Sequence, residues 1–199
     1  MLLTLATQNE GKLRELEALI AAQRLPIIAR SLAQRGAADQ AEEVGLTFGQ
    51  NALLKASWAA HLTMGWALAD DSGLCVDALD GAPGIHSARW SGGGDQANNE
   101  LLLERLAGIP LAKRGARYRC ALALCNQLGE ALLVEADVEG RIVETPRGSQ
   151  GFGYDPLFEI PAWGYTFAEV DLARKETLSH RARAFRKLLP LLRILAKDS

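Results

Sequence analysis

The sequence has few of the residues that define specialised structural classes. Cysteine occurs three times, at Cys75, Cys120 and Cys125, without C-x-x-C spacing. These counts exclude a disulfide scaffold, so buried free thiols in a reducing compartment are expected. The three histidines form no zinc-binding motif, which leaves no sequence argument for a zinc site.

Long hydrophobic runs are also missing. Residues 188–196 form an oily stretch, but they include Pro190 and Arg193 and are too few to span a bilayer. Residues 1–6 form a short apolar run without the basic leader of a signal peptide. We therefore expect a cytoplasmic protein with no membrane segment.

Neither sign of charge is in large excess. Lys and Arg total 22 against 24 Asp and Glu, which gives a formal net charge of −2. This balance provides no basic face for nucleic acid, although a local cluster could still bind a small anionic substrate. A hydrophobic share of 48% over 199 residues predicts one ordinary globular domain or two small lobes.

Apolar periodicity predicts an α/β fold with a mixed sheet, because strands and helices alternate early and a hairpin follows. The predicted strands cover residues 2–6, 25–29, 66–69, 116–125 and 131–139. Helices are predicted after residue 11, over 51–61 and 98–107, and from about Ser179, which can cap the last one. In the first helix Leu13, Leu16 and Ile20 face inward and Arg14, Glu15 and Glu17 outward. Pro190 is expected to kink or interrupt the last helix.

Two lysine-containing segments are candidate phosphate sites. The turn of residues 7–11 leads into a helix N-terminus, whose free N–H groups and dipole suit an anion, and Lys12 adds a positive charge. A capped helix with an exposed lysine explains the same pattern. Lys55 lies on an Ala/Leu-rich helix, where a lysine is more often a surface residue than a ligand.

Asp70 and Asp71 follow a predicted apolar strand directly and precede Ser72 and Gly73. Neighbouring carboxylates repel one another unless a cation or hydrogen bonds compensate, and Mg²⁺ is the natural oxygen-seeking partner. An Asx turn is the structural alternative, but such a turn needs only one Asp. Glu42 and Glu43 could supply a further ligand.

Two further loops suit a nucleotide. In residues 151–156 the glycines allow close backbone approach, and Phe152 offers a flat face for a base. Lys175, His180 and Arg181 place donors near a predicted helix start, where a charged helix end is the alternative interpretation. Each cluster is weak alone, but together they describe a nucleotide with its Mg²⁺.

Six segments, in this order and spacing, resemble the inosine/xanthosine triphosphate pyrophosphatases over residues 2 to about 190. They are Thr7-x-Asn9-x-x-Lys12, Phe48-x-x-Asn51-Ala52-x-x-Lys55-Ala56, Asp70-Asp71-Ser72-Gly73-Leu74, Gly81-Ala82-Pro83-Gly84-Ile85-x-Ser87-Ala88-Arg89, Gly151-Phe152-Gly153-Tyr154-Asp155-Pro156 and Ser179-His180-Arg181.

The resemblance implies one domain over residues 1–199, with an elongated mixed β-sheet, flanking helices, two lobes around a central cleft, and a homodimer. It implies hydrolysis of ITP, dITP and XTP to the monophosphate and pyrophosphate. The triphosphate would be held by Thr7, Gln8, Asn9, Glu10, Gly11, Lys12 and Lys55. Mg²⁺ would be held by Glu43, Asp70 and Asp71, with Asp71 as proton acceptor. Ser72, Phe152, Gly153, Tyr154, Asp155, Lys175, His180 and Arg181 would contact the rest of the substrate.

Other functions fit parts of the pattern. A related pyrophosphatase acting on modified pyrimidine nucleotides would keep the fold and change the base. A nucleotide sensor without turnover would need an acidic centre unable to hold Mg²⁺. The chain also departs from the family pattern at Gln8, Gln50, His86 and Ala182, which bears on rate and preference more than on reaction type.

Overall fold

The structure is a computed structural model that describes residues 1–37 and 41–197. Its contacts divide the chain into two compact units. Unit 1 comprises Met1–Asp71, Cys120–Ala136 and Arg181–Ser199, and unit 2 comprises Ser72–Arg119 and Asp137–His180. No helix within the described ranges is long and apolar enough to cross a membrane.

The described residues contain a seven-stranded sheet in the order β2-β1-β3-β4-β5-β6-β7. The strands are β1 (Leu2–Leu5), β2 (Ile28–Ser31), β3 (Trp66–Val76), β4 (Gly115–Cys125), β5 (Ala131–Ile142), β6 (Phe158–Ile160) and β7 (Tyr165–Thr166). β1 pairs parallel with β2 and β3, whereas β6 pairs antiparallel with β5 and β7. The predicted mixed α/β sheet is therefore confirmed.

The helices in the described ranges are α1 (Glu10–Ala22), α2 (Phe48–Thr63), α3 (Gly94–Arg105), α4 (Leu172–Leu178) and α5 (His180–Leu195). The adjacent strands β4 and β5 are joined by the short turn of residues 126–130. Parallel neighbours need a much longer crossover, so this pair is the predicted antiparallel hairpin.

Several details of the sequence prediction are wrong. The strand predicted to end at residue 69 continues to Val76, so Asp70 and Asp71 lie within β3 and not in a turn after it. Glu15, expected to face outward, is buried. Helix α5 continues through Pro190, which is exposed, so the predicted interruption is wrong, whereas the alternative of a kink stays a prediction. α4, β6 and β7 were not predicted, because seven, three and two residues carry too little periodicity.

Unit 1 has a large-residue face and a small-residue face. Along β4, Cys120, Leu122 and Leu124 pack with leucines of α1 and α5, whereas alternate residues belong to a second cluster. That cluster is mostly alanine, from α2, β3 and β4 and from Ala6 just after β1. Side chains alternate across a strand, so α1 and α5 cover one face of unit 1 and α2 covers the other.

Unit 2 has its own core of larger side chains. Tyr118, Phe158 and Phe167 pack together, with ring centroids 4.7 to 5.8 Å apart. Leu102 and Leu106, on and just after α3, are fully buried in the same cluster. This packing places α3 beside the loop that contains the Gly151–Asp155 motif, because Tyr154 and Leu157 also belong to the cluster.

Candidate active site

The loop between β1 and α1 forms the predicted helix N-terminus. Asn9 caps α1, since its side-chain oxygen accepts a hydrogen bond from the Lys12 N–H at 3.0 Å. The Thr7 hydroxyl accepts from the Asn9 N–H at 3.2 Å. Gln8, Asn9 and Glu10 are exposed, whereas Gly11 is buried. The start of α1 therefore has the geometry of an anion site, with Lys12 in its first turn.

Strand β3 directs Asp70 toward the α1 and α5 face of unit 1. Its Oδ1 atom lies 2.7 Å from Lys12 Nζ, and its Oδ2 atom accepts from Arg181 Nε at 2.9 Å. The Cys120 thiol also donates to Oδ2, at 3.2 Å. Burial alone would raise the pKa of Asp70, but the Arg181 and Lys12 charges hold that pKa well below its ordinary value. Asp70 is thus a fully buried carboxylate whose ionised form is favoured by its cationic partners.

Arg181 is enclosed by acidic partners. Its guanidinium donates to Asp70 and also to Glu15, and both Arg181 and Glu15 are almost fully buried. An unpaired charge at this depth would be very unfavourable, which explains why Glu15 points inward and not to solvent. The structure thereby links α1, β3 and α5 through one charge network.

The next residue, Asp71, points to the opposite face, toward α2. Lys55 Nζ donates to Asp71 Oδ1 at 2.7 Å and to Glu43 Oε1 at 2.8 Å. Asn51 Nδ2 donates to Asp71 Oδ2 at 3.3 Å. Burial raises the pKa of Asp71 above its ordinary value despite the opposing Lys55 charge, and Glu43 adds to the rise. Asp71 is therefore the more basic of the two neighbouring carboxylates.

The donor set around Lys55 fits Mg²⁺ in part. Glu43 and Asp71 already place one oxygen each within 2.8 Å of the same cationic atom, and Mg²⁺ prefers such carboxylate oxygens. Asp70 instead has its oxygens engaged by Lys12 and Arg181. Within residues 1–37 and 41–197, no three His, Cys, Asp or Glu side chains are arranged to hold a metal ion. Asp70 as a metal ligand stays a prediction.

In unit 2, the glycine motif folds around one carboxylate. Asp155 Oδ2 accepts from the Phe152 N–H at 2.9 Å and from Lys175 Nζ at 2.5 Å. Lys175 Nζ also lies 4.9 Å from the centroid of the Phe152 ring. Gly151 has a φ of +75°, and a Cβ there would come within 2.0 Å of Asp155 Oδ2. Glycine is required at 151, because no side chain fits there.

The neighbouring predicted residues are also placed in unit 2. The Tyr154 hydroxyl donates to the Ser87 carbonyl at 2.9 Å, and burial, followed by the Asp95 charge, raises its pKa well above the ordinary value. The His180 ring stacks on Tyr118 with centroids 4.6 Å apart. Ser72, half-buried, follows Asp71 in β3.

Sequence reasoning missed several residues that hold these groups. Glu15 and Cys120 lie next to the Asp70 network, and Asp95 and Asn99 on α3 bind the backbone of Gly153. The i, i+4 spacing of Asp95 and Asn99 places them on one helix face, but the sequence does not show which loop that face meets. Lys55, ambiguous in the sequence, is a buried partner of two carboxylates.

Comparison with known proteins gives matches over nearly the whole chain. The sequence profile of the Ham1 family matches residues 3–191. A "dITP/XTP pyrophosphatase" from Geobacter sulfurreducens is 48% identical over 184 residues, covering 92% of this chain and 92% of that protein. A protein of the same name from Gloeobacter violaceus is 50% identical over 188 residues, covering 94% and 92%.

Solved structures show the same similarity. A HAM1 protein from Coxiella burnetii has a TM-score of 0.86 and 38% identity, covering 96% of this chain and 98% of that one. A structure from Mycobacterium abscessus, named nucleoside-triphosphatase / dITP/XTP pyrophosphatase, has a TM-score of 0.75 and 41% identity, covering 96% and 100%.

Proposed function

Because this chain belongs to the Ham1 family, we propose that it hydrolyses the nonstandard purine nucleoside triphosphates dITP, ITP and XTP to the monophosphate and pyrophosphate. The observation that carries the proposal is the nearly full-length match to relatives named dITP/XTP pyrophosphatase. The charges around Asp71 support the proposal. The Asp71 carboxylate can act as a base, and the neighbouring Lys55 ammonium group can bind phosphate oxygens.

The proposed reaction is attack of water on the α-phosphorus. The water oxygen forms a bond to the α-phosphorus, and the bond from that phosphorus to the bridging oxygen breaks, so that pyrophosphate leaves. Asp71 accepts the proton of the water, a role that suits a desolvated carboxylate of raised pKa. Asn51 and Lys55 hold the carboxylate in place through both of its oxygens.

The triphosphate carries negative charge that must be neutralised. We assign this to the N-terminus of α1, residues 7–12, and to Lys12 and Lys55. Glu43 and Asp71 are the residues that would hold Mg²⁺. When bound, Mg²⁺ offsets charge on the phosphate oxygens and on the departing pyrophosphate.

We assign base and sugar to the unit 2 residues Phe152, Gly153, Tyr154 and Asp155, with Ser72, Lys175 and His180 contributing. Hypoxanthine and xanthine present an acceptor oxygen at C6, where adenine presents a donor amino group. Backbone N–H donors of the loop would bind the C6 oxygen but would face the adenine amino group as donor against donor. Sites that bind a substrate through such hydrogen bonds favour it over an analogue without the matching group by roughly 10⁴-fold. Arg181 as a base-reading residue stays a prediction, because its guanidinium binds Asp70 and Glu15.

The proposal also covers the setting of the reaction. We propose that residues 1–199 act as one catalytic domain, that two copies form a homodimer, and that the protein works on the cytoplasmic nucleotide pool. Gel filtration with light scattering tests the dimer, and a mass of one chain would contradict it.

A substrate panel with product identification tests the reaction. Purified protein should release pyrophosphate from dITP, ITP and XTP with Mg²⁺, much more slowly from dATP and dGTP, and not in excess EDTA. In H₂¹⁸O the label should enter the monophosphate, since water attacks the α-phosphorus. Label in pyrophosphate, release of orthophosphate alone, or preference for a modified pyrimidine nucleotide would contradict the proposal.

A further inference from the structure

Helix α3 holds the peptide groups on both sides of Gly153. Asp95 Oδ2 accepts a hydrogen bond from the Gly153 N–H at 2.7 Å. Asn99 Nδ2 donates to the Gly153 carbonyl at 2.9 Å. Asp95 and Asn99 are four residues apart on α3, so they present one acceptor and one donor from the same helix face. We call this pair the Gly153 clamp.

The clamp acts where the loop has no side-chain anchor of its own. Gly153 has a φ of +62°, and a Cβ added there would meet no atom within 4 Å. Its N–H belongs to the peptide group that follows Phe152, and its carbonyl belongs to the peptide group that precedes Tyr154. The two clamp bonds therefore fix the planes of the two peptides that connect Phe152 to Tyr154.

The neighbours of Gly153 are held by other means. The Phe152 N–H binds Asp155, and the Tyr154 hydroxyl binds the Ser87 carbonyl. Without the clamp the glycine between them could rotate its two peptides, since glycine has the widest choice of backbone conformations. Such a rotation would turn the Phe152 ring and redirect the backbone donors of the loop.

Asn99 shows a second feature that packing does not explain. Its Oδ1 atom is buried and has no hydrogen-bond partner among the described residues. A buried amide oxygen without a partner lowers stability, so a leucine of similar size would suit this place better if only packing mattered. The contact that asparagine makes here and leucine would not is the Nδ2 hydrogen bond to the Gly153 carbonyl.

We propose that Asp95 and Asn99 are positioning residues for base recognition, which hold the peptides around Gly153 so that Phe152 and the loop N–H groups meet the purine. This inference rests on the proposed function, because it assumes that the loop receives the base. Asp95 and Asn99 bind the Gly153 backbone, in a loop assigned above to the base and sugar, so we expect them to act on substrate binding and not on the chemical step.

The test uses four variants of the full chain. Asp95→Ala removes the acceptor, whereas Asp95→Asn keeps a side-chain oxygen that can still accept from the Gly153 N–H. Asn99→Leu removes the donor and the unsatisfied oxygen together. Gln96→Ala is the matched control, because Gln96 is exposed on the same helix and its amide donates to Glu100 and not to the Gly153 loop.

For Asp95→Ala and Asn99→Leu we expect the KM for dITP to rise about tenfold, as for one lost positioning bond, with kcat within about twofold. The inhibition constant of inosine should rise in parallel, and that of inorganic tripolyphosphate should not change. Asp95→Asn should restore most of the affinity, and Gln96→Ala should match the original chain. Asn99→Leu should melt at the same or a higher temperature.

The outcomes separate this inference from the proposed function. If the original chain does not release pyrophosphate from dITP, the proposed function fails. If it does, but Asp95→Ala and Asn99→Leu keep the original KM and inosine affinity, only the clamp is overturned. A parallel loss of tripolyphosphate affinity and melting temperature would likewise overturn it, because that pattern indicates a general structural role.

Discussion

The two faces of β3 give neighbouring carboxylates opposite surroundings. On the α1 and α5 face, Asp70 is enclosed with Arg181 and Lys12, which hold its pKa well below the ordinary value. On the α2 face, Asp71 meets Lys55 and Asn51, and burial raises its pKa. Alternation along a strand thus separates two acids that would otherwise repel. It is also the basis for the proposal that Asp71 acts in the chemistry while Asp70 holds the fold together.

The largest expected effect is on the α2 face. Asp71→Asn removes the proposed proton acceptor, so kcat/KM for dITP should fall by about 10³-fold, as general-base variants commonly do. Stability should change little or increase, since a raised pKa means that folding disfavours the ionised form of Asp71 at neutral pH. Steady-state kinetics and urea unfolding of the same preparation measure both quantities.

The matched variant on the α1 and α5 face, Asp70→Asn, should affect stability more than activity. Asp70→Asn leaves Arg181 with reduced compensation, so the free energy of unfolding should fall by about 3 kcal/mol, the range for breaking a buried ion pair. Urea unfolding at pH 7 checks this. An Asp70→Asn protein as stable as the original, or an Asp71→Asn protein of undiminished activity, would contradict the division of roles.

The pH dependence of stability provides a control for that variant. Because the folded pKa of Asp70 lies below its unfolded value of about 3.9, its ionised form stabilises the fold above that pH. This contribution is lost as the pH falls from the unfolded pKa through the folded one. The Asp70→Asn protein should therefore lose less stability than the original between pH 5 and 3, both measured without metal.

The smallest expected effect also concerns the Asp70 face. Cys120→Ala removes a weak thiol hydrogen bond to Asp70 Oδ2 and should lower the free energy of unfolding by about 1 kcal/mol. Activity on dITP should remain unchanged, because Arg181 and Lys12 still hold the carboxylate. A drop in kcat of tenfold or more would show that the Asp70 face takes part in the chemistry.

The α/β class and the order of the main elements could be predicted because periodicity and glycine-rich loops are local properties of the chain. The different partners of Asp70 and Asp71 could not be predicted, since Arg181 lies 111 positions from Asp70 in the sequence. Glu15 illustrates the same limit. Its position in α1 is typical of an exposed residue. Burial of the Glu15 carboxylate becomes favourable only because the Arg181 guanidinium, from a distant part of the sequence, binds it.

Other errors have local causes. The Asp-Asp-Ser-Gly segment has the composition of a turn, yet it continues β3 as an extended strand. Gly73 permits this, because a Cβ there would come within 2.3 Å of the Ser87 hydroxyl, which instead binds the Leu74 N–H. Composition alone does not show that a glycine serves close packing rather than a turn.

The alanine-rich side of unit 1 limits how the protein can change over evolution. Ala52 and Ala56 of α2 are fully enclosed against alanines of the sheet, so a bulkier residue there would push the helix outward. The same helix carries Asn51 and Lys55, whose short reach to Asp71 would then be lost. The alanine methyl groups therefore set the distance between α2 and β3 on which the contacts of Asn51 and Lys55 with Asp71 depend.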